Sequence, residues 1–150
     1  MWSPGLISIE IGRPVKFIIL CLAAVLAVTN HPLEIKVTLP EDATGKLYLV
    51  VYNNKADFLG EKGELTVYEL AEVRDHPTIK IDKVKEGTYA FVAFIDENNN
   101  GVMDKNRLGI PKEPIGFSVS KMGLFGPPSF KKASYQIPST KSVELVIERF

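Results

Sequence analysis

The chain has 150 residues, 45% of them hydrophobic, with 18 basic and 18 acidic side chains that cancel. That is enough chain for one domain with its own core, and a balanced charge with scattered lysines excludes a phosphate-tracking, nucleic-acid-binding surface. A single cysteine, Cys21, excludes a thiolate metal centre and an internal disulfide.

The N-terminus reads as a targeting segment. Arg13 and Lys16 precede the apolar run from Phe17 to Val28, which carries small residues at Ala23, Ala24 and Ala27. The run is too short to span a bilayer. Residues 1–27 are therefore expected to be a signal peptide, and 28–150 a single domain. A start at Val15, read as an initiator, gives this segment a more ordinary length. Cleavage removes Arg13 and Lys16 against Glu10, so the mature chain is one unit negative and has no cysteine. Leu20 before Cys21 is not the small residue that a lipid-anchoring site requires. The expectation is a periplasmic or secreted protein with no stable membrane insertion after cleavage.

Strands follow. Leu33, Ile35, Val37 and Leu39 alternate with polar residues up to Pro40, the pattern of a half-buried strand. Lys46 to Tyr52 is apolar on both faces and is expected to be central. Asn53 to Gly63 reads as a loop. Leu65 to Val73 is expected to be a strand, because Thr66, Val67 and Tyr68 favour extended chain. Thr78 to Val84 is another. Thr88 to Ile95 is the most apolar, with Tyr89, Phe91, Ala93 and Ile95 on one face and Ala90, Val92 and Phe94 on the other.

That strand runs into Asp96-Glu97-Asn98-Asn99-Asn100-Gly101-Val102-Met103-Asp104, or D-x-N-x-N-G-x-x-D. Calcium loops take oxygens from positions one, three and five, turn on a glycine at six and use the backbone carbonyl at seven. Asp96, Asn98, Asn100, Gly101 and Val102 fill those positions, and Asp104 stands at nine. Position twelve is Arg107, where a helix-loop-helix calcium hand needs a bidentate glutamate. With few charged ligands, a structural calcium ion is expected to bind weakly, at about 10⁻⁴ to 10⁻³ M. The same residues are also favoured turn formers, so a metal-free polar turn is the competing reading.

From Arg107 to Pro128 the chain is rich in glycine and proline and reads as one long irregular loop. One helical turn is expected at Ser129 to Ala133, then strands at Ser134 to Ile137 and Ser142 to Arg149. Short strands at this spacing point to an all-β, antiparallel sandwich. Phe117, Phe125 and Phe130 offer an aromatic platform for a glycan, peptide or protein partner, although packing of the loop onto the sheets is the simpler account of them, since large aromatics usually serve burial.

Enzyme motifs are missing. His31 and His76 are the only histidines, Gly116-Phe117-Ser118-Val119-Ser120 lacks the second glycine of a nucleophile elbow, and Gly45-Lys46 is not a phosphate loop. A non-enzymatic role is expected.

The run G-T-Y-A-F-V-A-F-I-D-E-N-N-N-G-V-M-D-K-N-R-L-G-I-P-K-E-P-I-G-F-S (Gly87 to Ser118), followed by F-G-P-P-S-F-K-K-A (Phe125 to Ala133), resembles the bacterial secreted family known as domain of unknown function 2141. The resemblance implies an immunoglobulin-like or transthyretin-like β-sandwich and carries no established activity. It puts weight on Glu113 as well, which would supply a further metal oxygen if Gly109 and Pro111 fold the segment back; a surface salt bridge is the competing reading.

Overall fold

The computed structural model describes residues 29–119, 122–123 and 126–150. The expected signal peptide and Phe125 lie outside the described residues.

The fold is all-β, in two sheets. Strand β1 (Asn30–Thr38) alternates as its sequence demands, with Leu33, Ile35 and Val37 buried and their neighbours facing water. It is the middle strand of a three-stranded sheet, antiparallel to β4 (Thr78–Lys85) and parallel to β8 (Ser142–Val146). The expectation of a wholly antiparallel architecture is corrected here. Antiparallel neighbours arise most simply from hairpins, but β1 and β8 are joined only through the rest of the domain, so no turn dictates their direction. The parallel register sets Ile35 beside Val143 and Val37 beside Leu145, all buried.

In the second sheet β2 (Lys46–Tyr52) lies between β3 (Glu64–Glu69) and β5 (Gly87–Asp96). The other edge of β5 is shared end to end. Its first half pairs with β7 (Ser134–Ile137) and its second with β6 (Ile115–Phe117). The sheets bury their facing sides in one core, where Leu33 and Leu145 of the smaller sheet join Leu49, Phe91 and Ile95 of the larger. Val92, Phe94, Ile115 and Phe117 form a second cluster on the opposite face of the larger sheet. Strand β5 is thus buried on both faces, which accounts for its unbroken apolar sequence.

Two elements depart from expectation. The strand expected over Leu65 to Val73 ends at Glu69, and Leu70–Asp75 forms the short helix α1. Leu70 and Val73, three apart, turn onto one buried face, and the Arg74 guanidinium donates to the carbonyls of Pro40 and Ala43 at 3.1 and 2.6 Å. Burial and these bonds override the extended preference upstream. Strand β6 lies inside the stretch read as irregular. A second one-turn helix, α2 (Phe130–Ala133), falls where the sequence placed it.

Candidate functional site

Asp96 is the last residue of β5 and is 0% exposed. A carboxylate is stable there because the chain turns back over it. Its Oδ1 accepts the N–H of Asn100 at 3.1 Å and its Oδ2 that of Gly101 at 2.7 Å. The reversal needs left-handed backbone at Asn99 (φ 58°) and Gly101 (φ 83°), residue types that tolerate it. Asn98 Oδ1 takes the Asn100 N–H at 3.0 Å, and Asn100 Oδ1 takes the Val102 N–H at 2.9 Å. Behind the loop, Gly45 (φ 102°) lies so close to Asp96 that any Cβ would strike the Asp96 carbonyl oxygen.

The side chains at positions three, five and nine converge. Asp104 Oδ2 accepts the Nδ2 groups of Asn98 at 2.7 Å and Asn100 at 3.3 Å. Turning either amide over would present its oxygen to the same point, where a cation could replace the amide donors, at the cost of the backbone N–H that this oxygen now accepts. Among the described residues no three histidine, cysteine, aspartate or glutamate side chains cluster as a metal site. A cation here would therefore rely on amide and backbone oxygens beside one exposed-side carboxylate, a hard donor set that fits calcium better than zinc.

Glu113 does return to the loop and is 5% exposed. Its oxygens hold backbone: Oε1 accepts the Glu97 N–H at 2.9 Å and Oε2 the Asp104 N–H at 3.0 Å. One carboxylate thus clamps both ends of the loop. The chain between Asp104 and Glu113 is a hairpin. Lys112 N–H meets the Asp104 carbonyl at 2.9 Å, Lys105 bridges to Pro111, and Asn106 Oδ1 accepts the N–H groups of Leu108 and Ile110 at 2.9 and 3.0 Å.

Sequence reasoning missed Arg149, whose fork reaches both oxygens of Glu97 at 2.8 and 2.6 Å and Asp42 at 3.2 Å. The hydrogen bonds to Glu97 hold its guanidinium still more firmly in the charged form. The pair is exposed and adds little stability. It does tether the loop to the end of the chain. No local pattern announces a partner 52 residues away.

Beside the hairpin, on the outer face of the larger sheet, lies a groove of about 630 Å³. Val92, Phe94, Ile115 and Phe117 belong to the sheet side of its lining, and Met103, Leu108, Ile110 and Pro111 to the hairpin side. Of the aromatics singled out in the sequence, Phe117 is buried, and Phe130 is half-buried with its ring edge-on to Phe58 at 5.6 Å. Phe58 in turn meets Tyr52 at 5.4 Å. These rings chiefly pack the outer face.

The sequence profile of the bacterial family described as "Uncharacterized protein conserved in bacteria (DUF2141)" matches residues 35–145. The chain is a DUF2141 protein. No curated protein and no solved structure is detectably similar to it. The DUF2141 match takes in at least part of every strand, the whole Asp96 loop, the hairpin and Glu113.

Proposed function

We propose that this DUF2141 chain is an exported, non-enzymatic binding protein whose calcium-type loop, Asp96 to Asp104, sets the hairpin that walls the apolar groove. The observation that carries this reading is continuity. Asp104 joins the amides of Asn98 and Asn100, and its neighbours Met103 and Lys105 line the groove. Asn98, Asn100, Asp104 and the Val102 carbonyl would hold the ion, with Asp96 and Glu113 fixing the loop backbone around it. Calcium would supply charge to pin the loop and no chemistry. The acidic residues here already hold backbone or amide N–H groups, which supports a structural rather than catalytic role.

The test is thermal unfolding in EDTA and in about 10 mM calcium. A site of about 10⁻³ M stabilises the native state by about 1.4 kcal/mol under those conditions, a rise of several degrees. The rise disappears in Asp104→Ala. An identical transition with and without calcium would make the loop a metal-free turn. A carbohydrate- or peptide-binding module using Phe117, Phe125 and Phe130 without metal is the alternative. It has less support, because Phe117 is buried and Phe130 half-buried in packing.

A further inference from the structure

We propose that the groove holds the alkyl chain of a single-chain anionic amphiphile, with Lys105 pairing to its head group. This rests on the groove being a binding surface and does not depend on calcium. The volume of about 630 Å³ lies in the range of small-molecule sites. The walls suit hydrocarbon: the flexible Met103 and Met122 lie among branched and aromatic side chains, and Met adapts its shape to what it packs against. Around the mouth, Leu59, Leu108, Ile110 and Phe150 are 40%, 84%, 43% and 52% exposed. Apolar groups concentrated at one opening mark a place where apolar matter enters.

The head group follows from charge. Lys105 is the only charged side chain among the described residues lining the groove. It shares the hairpin with Arg107 and Lys112, and among the described residues none of the three has an ion-pair partner. The nearby acids are engaged, Asp104 with the two amides and Glu113 with backbone N–H groups. Lys105 is therefore a cation at the groove with no direct ion-pair partner among the described residues, while the nearby carboxylates have neutral N–H groups directed at them. A glycan would need several hydrogen-bonding side chains, but the Tyr52 hydroxyl already donates to the Gly60 carbonyl at 3.0 Å. An apolar chain ending in an anion meets both features.

The test is calorimetric titration of the folded domain with dodecanoate, dodecanol and dodecyltrimethylammonium, all in EDTA. The hairpin is closed by protein hydrogen bonds, so the titration needs no metal. Dodecanoate is expected to bind about two- to fivefold more tightly than the cationic analogue, the scale of one exposed ion pair. Lys105→Gln removes that preference while leaving dodecanol binding unchanged. Ile110→Gln, an uncharged polar substitution at an exposed position, weakens all three with little change in melting temperature. Equal binding of the three amphiphiles, or a dodecanoate preference that survives Lys105→Gln, overturns the head-group assignment. No binding by a domain that melts cooperatively overturns the groove as a whole. A calcium-dependent melting shift without dodecanoate binding would leave the loop reading standing and sink this one; the converse result would do the opposite.

Discussion

Glu113 shows how one side chain can hold a loop without joining its motif. Each carboxylate oxygen accepts one backbone N–H, from Glu97 and from Asp104, on opposite sides of the Asx turns. Glu113→Gln keeps the shape but turns an N–H donor toward one of those N–H groups. We expect a loss of about 1–3 kcal/mol, the cost of an unsatisfied buried donor, read as a lower urea midpoint with the slope unchanged. The amide signals of Glu97 and Asp104 should shift while those of β1 do not. Asp96, Asn98, Asn100 and Asp104 were legible in the sequence because their spacing is local. The return of Glu113 to the loop stood only as a further metal oxygen, against a surface salt bridge, and its spacing alone does not decide it. Its role as a backbone clamp was not legible, since nothing in a sequence says which N–H groups a returning carboxylate will meet.

Among elements, the edge of β5 is the instructive case. Strands β6 and β7 divide that edge, and at the division Ser118 fills in. The Phe91 N–H donates to Ser118 Oγ at 2.9 Å, the hydroxyl donates to the Ala133 carbonyl at 2.5 Å, and the Ser118 N–H returns to the Phe91 carbonyl at 2.9 Å. Ser118→Ala leaves a buried amide without a partner. It should cost about 1–3 kcal/mol and speed hydrogen exchange at Phe91 relative to Ala93. Long alternating or doubly apolar runs such as β1, β2 and β5 could be read from sequence, because burial imposes their period. Three-residue β6 could not. It sits between proline and glycine signals, and only the open half-edge of β5 recruits it. The change from β3 to α1 was hidden for a related reason: Thr66 to Tyr68 report local preference, whereas Leu70 and Val73 obey the core.

At the scale of the molecule, several groups make the folded state sensitive to alkali. Burial raises the hydroxyl pKa of Tyr52, and burial followed by the Glu72 charge raises that of Tyr68; the hydrogen bond and charge of Glu69 raise Lys46. In the unfolded chain these protons leave first, beginning near pH 10. The native state then binds more protons than the unfolded one, so stability that is complete below the unfolded values falls as pH climbs through the raised ones. Urea midpoints should be flat from pH 7 to 9 and fall above 10. Tyr52→Phe should start lower, having lost its bond to the Gly60 carbonyl, yet fall less steeply. The two-sheet, all-β outcome was legible from strand spacing. The pairing of β1 with β8 was not, because directions of strands joined by no hairpin are settled only when the core closes.

That pairing bears on how the chain comes to be folded. Strand β1 is an interior strand of its sheet, and one of its two neighbours is β8, the most distant in sequence of the described strands. The chain through β8 must be available before β1 can be flanked on both sides. Until then Leu33, Ile35 and Val37 lack the wall formed by Val143 and Leu145. A chain stopped before Ser142 should remain open and protease-sensitive, while one with all its strands closes in a single late step, as expected of contacts between distant parts of a sequence. Arrival of β8 is thus the event that commits β1 to its place.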